Sequence, residues 1–175
     1  MEMISQKLNE ALNEIIGKLF ALNRLYDRAM SEISVKHKAL NSAEILHPTL
    51  AHFFPNFADS VSEYQQSRNM LTRYPATPEG NESYETPLQF YELALEEMNK
   101  FEDMVCDAVD LATFEKDWST EAFLKEVLKK WNPYLETINN IVDVCRRYGN
   151  DLKSQMQFDD EIEHCLAVPN LAGDA

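Results

Sequence analysis

Glycine is scarce in this chain, at four residues in 175, and no stretch alternates β-branched with polar residues. A sheet needs that alternation and turn residues between short strands, so the absence argues for an all-α class. Cysteine is almost as rare. Cys106, Cys145 and Cys165 are an odd three with no CxxC spacing, which points to a reducing cytoplasm rather than a disulfide scaffold. No run approaches eighteen apolar residues, and the opening Met1 to Gln6 has neither the basic nor the apolar region of a secretory leader. Neither a membrane span nor a leader is therefore expected. Basic residues are outnumbered 16 to 30, for a formal net charge of −14. That balance disfavours nucleic acid and anionic membranes as partners and leaves cations or basic surfaces. No glycine-rich phosphate loop or nucleophile elbow is present.

What the chain does have is apolar residues at helical spacing. They make up 45% of 175 residues, which suits one domain with a substantial core. From Thr86 to Gly149 the pattern predicts two long helices joined by a tight corner. Leu88, Tyr91, Leu95, Met98, Val105, Ala108 and Ala112 fall at steps of three or four, with one step missing near Phe101. Leu124, Leu128, Trp131, Leu135, Ile138, Val142 and Cys145 do the same in the next helix, so each offers one apolar seam. Thr86-Pro87-Leu88-Gln89 combines an N-cap hydroxyl, a first-turn proline and a glutamine placed for a capping box. Asp117 and Ser119 offer caps for the following helix, and Gly149 a stop.

Upstream, a first helix is expected from near Glu2 to about Lys38. Its seam is Ile4, Leu8, Leu12, Ile15, Leu19, Leu22, Tyr26, Ala29 and Ile33. Gly17 inside it costs about 1 kcal/mol relative to alanine, which implies a close neighbour or tolerated drift. Asn41 to His47 reads as a connection. A second helix runs from Pro48 or Pro55 to about Arg73 on a seam of Leu50, Phe54, Phe57, Val61, Tyr64 and Leu71. The polar stretch Tyr74 to Glu85 follows. Extended, it reaches about 40 Å, against about 37 Å for a 25-residue helix, so it can just cross the bundle or fold back as a loop. After Gly149 a short amphipathic tail, Leu152, Met156 and Ile162, suggests a fifth helix, within a domain of residues 1–168. Residues 169–175 are expected to be a frayed, flexible tail. Four one-sided helices make a four-helix bundle.

Several groups of residues resemble the bacterial non-haem ferritins. Ala108-Val109-Asp110-Leu111-Ala112, Lys116-Asp117-Trp118 and Phe123-Leu124 stand in the order and spacing of that family. Ile141 to Gly149, and Phe158-Asp159-Asp160-Glu161-Ile162, are similar to the end of its fourth helix and its short fifth. Met3-Ile4-Ser5, Leu8, Ala11-Leu12-Asn13-Glu14 and Lys18-Leu19-Phe20 resemble its opening. The second helix matches poorly, and the connection after it looks several residues short. The resemblance implies an up-down-down-up bundle with a long crossover between the second and third helices. It also implies a homo-oligomer, at full size a shell of twenty-four subunits, and a ferroxidase centre of two irons.

Carried over residue by residue, that centre fails. The positions the family fills with carboxylates, a histidine and a glutamine hold Lys18, Val61, Tyr64, Met98, Trp131 and Tyr134. Glu97 lies beside Met98 but is turned about 100° away. Two positions that some members use for a third iron hold Lys130 and Pro133. Val61, Tyr64, Met98 and Trp131 are members of the apolar seams, so the expected centre is degenerate, and burying two cations there without carboxylates would be very costly. The stem of Lys18 is expected to lie along its seam with the head snorkelling to water, the alternative being an ion pair with Glu14 or Glu97. Pro133 removes the helical amide bond to Lys129 and is expected to kink its helix.

Two Glu-x-x-His pairs, Glu44 with His47 and Glu161 with His164, have the spacing used in di-iron bundles. Chance explains them in so acidic a chain, and they remain weak metal candidates. Met3, Met30, Met70, Met98, Met104 and Met156 read as gap-filling core residues rather than soft ligands. Cys145, on a seam, reads as a small buried hydrophobe with an inert thiol. The expected function is therefore a non-catalytic ferritin-like subunit involved in iron storage and handling. It would form its own assembly or mix with active subunits, with no tightly bound cofactor beyond a ferric mineral if a shell forms. The alternative is a structural or protein-interaction bundle that no longer binds iron.

Overall fold

The computed structural model describes residues 3–172, and among these every regular element is helical. The first helix, α1, spans Gln6–Glu32 and is capped by Ser5, whose hydroxyl accepts the Leu8 amide at 3.0 Å. All nine expected seam residues of this segment, Ile4 to Ile33, are buried. Glu2, where the helix was expected to begin, lies outside the described residues. The chain continues through a π-helical turn, Ile33–His37, and stops at Lys38 with φ 58°.

The stretch expected to be a connection, Asn41 to His47, is helical instead. Helix α2 spans Leu40–Leu46, a second π-helical turn covers His47–Ala51, and α3 runs Phe53–Ser67. What holds α2 is distant in sequence. Asp159 accepts the amides of Asn41 at 3.2 Å and Ser42 at 2.7 Å, and the Ser42 hydroxyl at 2.6 Å. Helix α3 stops at Ser67 rather than near Arg73, and Asn69 turns the chain with φ 58°. Leu71, expected on the seam, consequently lies 90% exposed.

Residues 68–86 then travel the whole length of α1. The Arg68 carbonyl accepts the Met3 amide, and the Leu71 carbonyl accepts the side-chain amide of Asn9. The Arg73 amide donates to Asn13 at 2.9 Å, and Pro75 lies over Gly17. Farther along, Arg28 donates to the Glu82 carbonyl at 2.9 Å, while Glu32 accepts the Tyr84 amide at 2.8 Å. Contacts advancing from residue 3 to residue 32 of the first segment mean a true crossover. Gly17 is thus explained by a neighbour: a Cβ there would stand 2.8 Å from Cγ of Pro75.

Helix α4, Pro87–Glu115, begins beside the end of α1 and runs back along it, as the Lys18–Glu97 contact shows. Thr86 caps it, although the Gln89 side chain takes the Glu85 amide rather than the Thr86 amide of a regular capping box. Phe101, the expected missing step, is fully buried and completes the seam. Helix α5, Trp118–Tyr148, is capped by Asp117, continues through Pro133 and ends at Gly149 with φ 91°. The order is up-down-down-up, the four-helix arrangement with a long second connection. Helix α6, Leu152–Glu161, with a 3₁₀ turn at Ile162–Cys165, closes one end. It buries Phe158, Asp159, Ile162 and Cys165, whereas the expected seam residues Leu152 and Met156 are 71% and 63% exposed. Met3, expected in the core, is likewise 54% exposed. Of the expected loose tail, residues 173–175 lie outside the described residues, and the Leu171 amide donates to Thr49 at 3.3 Å.

Candidate functional site

The middle of the bundle is built from rings. Tyr26 of α1 lies 5.0 Å, centroid to centroid, from Phe54 of α3 and 5.1 Å from Phe90 of α4. Phe54 lies 6.0 Å from Trp131 of α5, which packs at 4.2 Å on Phe101 of α4. The large residues of all four long helices therefore meet at one level, because their seams converge there. Tyr26, Phe54, Phe90, Phe101 and Trp131 are each fully buried.

The singled-out residues divide over this interior. Met98 lies inside it, and its sulfur accepts the Tyr26 hydroxyl at 3.2 Å. Burial raises the Tyr26 phenol far above its usual range, with the Tyr91 phenol adding to the effect, so this proton stays on oxygen. Trp131 is central, and its indole N–H is buried with no hydrogen-bond partner among the described residues. Tyr134 joins through Phe53, the two rings stacked at 3.5 Å and 11°. Val61 is fully buried. Tyr64 stands apart, stacked on Phe123 at 4.0 Å with its hydroxyl 2.9 Å from Thr120. Sequence periodicity missed Phe53, which borders the seam, and Phe101, whose step looked absent.

Lys18 does not simply reach to water. It forms an ion pair with Glu97 of α4, and its side chain is only 16% exposed. Glu97 also binds Lys100 at 2.6 Å. Its partial burial favours the neutral form, but hydrogen bonds from Lys100 and Lys18 outweigh that and hold its carboxyl below the usual range. The 100° offset expected between Met98 and Glu97 is what lets one point into the rings and the other at Lys18.

The two Glu-x-x-His pairs do not form sites of their own. Glu44 and His47 are both exposed, and His47 faces Asp27, with Nε2 3.3 Å from its carboxylate. Glu161 accepts the Tyr148 hydroxyl, and His164 is exposed on the 3₁₀ turn. Among the described residues no three His, Cys, Asp or Glu side chains are grouped to hold a metal ion. Cys145 is buried, and burial pushes its thiol up to about 12, with Cys165 and Glu92 adding to it. No described helix is long and apolar enough to cross a membrane.

An up-down-down-up bundle with a crossover strapped along its first helix and a short capping helix defines the ferritin-like class. The Ferritin-like domain family matches residues 9–148, and the chain belongs to the ferritin family. Two structures of a novel open pore ferritin from the hyperthermophilic archaeon Archaeoglobus fulgidus share this fold. Each superposes with a TM-score of 0.83 at 22% identity over 91% of this chain, covering 96% and 97% of theirs. No curated protein matches the chain.

Proposed function

We propose that this chain is a non-catalytic ferritin subunit that handles iron within an oligomeric assembly, of its own kind or mixed with active subunits. The observation that carries the reading is the donor chemistry at Lys18, Val61, Tyr64, Met98, Trp131 and Tyr134. Ferrous and ferric iron take oxygen and imidazole ligands. These positions offer an ammonium, an aliphatic side chain, two phenols that burial keeps protonated (Tyr64 already 2.9 Å from the Thr120 hydroxyl), a thioether already engaged by Tyr26, and an indole N–H that can only donate. Two cations placed there would lose hydration with no carboxylate among these positions to replace it, and the neighbouring Glu97 is already taken by Lys18 and Lys100. Iron enters this reading as cargo. The net charge of −14 draws cations, and carboxylates facing a cavity would nucleate ferric mineral without a central site.

Native mass spectrometry comes first, and a closed assembly of about twenty-four chains is the expected result. Aerobic loading with ferrous iron, followed by metal analysis and iron-oxidation kinetics, then separates storage from catalysis. Retained ferric iron with oxidation no faster than in buffer supports the reading. Rapid oxidation by the chain alone would overturn its non-catalytic half. A monomer that retains no iron would point to the interaction bundle instead.

A further inference from the structure

His47, one of the sequence candidates, has neighbours that its Glu-x-x-His spacing did not indicate. It begins the π-helical turn His47–Ala51, closed by the His52 amide donating to the His47 carbonyl at 3.2 Å. Residues five apart on an α-helix point about 140° away from each other. The wider turn brings them back onto one side, and the His47 and His52 rings stand 4.4 Å apart at 66°. The cause is local. Pro48 has no amide to give and its ring crowds the carbonyl four residues back, so the chain opens by one residue there. Asp27 of α1 stands opposite, its carboxylate 3.3 Å from Nε2 of His47. Side chains of His47 and Asp27 are 46% and 43% exposed, and His52 is exposed.

From this geometry we infer that His47 and His52 form a surface chelate for a borderline divalent cation of the zinc class, with Asp27 supplying charge. Imidazole suits zinc, nickel, copper and iron, and a pair of imidazoles without a carboxylate ligand favours the borderline ions over the hard cations, which prefer oxygen. At zinc's tetrahedral angle and a metal–nitrogen length of about 2.1 Å, two imidazoles about one ion have centroids roughly 5.3 Å apart. The observed rings, 4.4 Å apart, have to open by about 0.9 Å, which two exposed side chains reach by turning about their own torsions. Two protein nitrogens leave the remaining positions to water, so the site is open and exchangeable. Glu44, three residues before His47, is not part of it. The inference stands apart from the iron reading: it uses none of the central residues and survives whether or not iron is stored.

The test is a Zn²⁺ titration of the assembled protein by calorimetry, with His ring resonances followed by NMR. Wild type is expected to take one ion per chain with micromolar affinity, shifting only the His47 and His52 rings. His52→Ala is expected to weaken that event at least about tenfold, and Asp27→Asn to weaken it less. All three side chains are largely on the surface, so circular dichroism should show an unchanged fold. The proposal is overturned if His52→Ala binds zinc as wild type does, which would assign the uptake to general acidic charge. Undetectable one-per-chain binding by wild type would overturn it equally.

Discussion

Glu32, in the last turn of α1, accepts the backbone amide of Tyr84 at 2.8 Å across 52 residues of sequence. The same carboxylate takes the Ser83 hydroxyl at 2.6 Å and Lys36 at 3.1 Å, and Arg28 at 3.2 Å. Desolvation works to raise its pKa, but the Ser83, Tyr84 and Lys36 donors win and bring it down to about 2. A carboxyl lowered in the folded state contributes stability that is complete above its unfolded value and lost as pH falls through the folded one. Unfolding followed from pH 6 to pH 2 should therefore show a stability decline below about pH 4.5 that Glu32→Gln flattens. An unchanged acid slope in the variant would remove Glu32 from the account.

Gly17→Ala should destabilise the bundle although alanine is the better helix former by about 1 kcal/mol. Its methyl would meet Cγ of Pro75 at 2.8 Å and Cβ at 3.0 Å. A net loss of roughly 1–2 kcal/mol in urea unfolding is expected, by overpacking. Pro75→Ala in the same chain should recover part of it, so the two changes will not add.

Trp131→Ala removes the ring against which Phe101 and Phe54 pack, and should cost about 3–5 kcal/mol. Trp131→Phe should cost less, because the unpartnered indole N–H leaves with the lost volume. Thermal midpoints of the two variants give the comparison. Equal losses would show that the buried N–H carries no penalty.

Lys18→Glu places a second carboxylate against Glu97. Repulsion should raise the Glu97 pKa and lower stability at neutral pH more than Lys18→Met does. The Lys18→Met loss should stay near 1 kcal/mol or below, since Lys100 still partners Glu97 and the pair is partly solvated. Raising salt should narrow the gap between the variants.

Asp159→Ala would leave the Ser42 amide and hydroxyl and the Asn41 amide without their acceptor. Loss of such a buried, charged acceptor should cost a few kcal/mol and release α2 and α6 together. Hydrogen exchange should quicken over residues 40–46 and 152–165 while the centre of α5 stays protected. Acceleration in only one of the two segments would mean that they are not joined through this side chain.

Sequence periodicity revealed the four long helices because each buries one stripe. The nine residues from Ile4 to Ile33 are all in the core. It could not reveal α2, which is held by Asp159 from more than a hundred residues away, nor where α3 ends, since Leu71 has a core composition and a solvent address. Crossing or folding back was undecidable from Tyr74–Glu85 for the same reason: the contacts that settle it belong to α1. At the centre, residue identity alone raised the question of iron ligands. The pairing of Lys18 with Glu97 and the stacking of Tyr134 on Phe53 needed the fold. The juxtaposition of His47 and His52 needed a π turn, which no α-helical spacing rule anticipates.

The strap over α1 has a kinetic side. Asn9, Asn13 and Glu32 find backbone partners in Leu71, Arg73 and Tyr84, so the first helix made is among the last to be completed. On the ribosome it must wait, part solvated, until the chain has emerged past Tyr84. A nascent chain halted before that point should carry α1 and α3 as a loose hairpin, open to proteases along the side that the strap later covers.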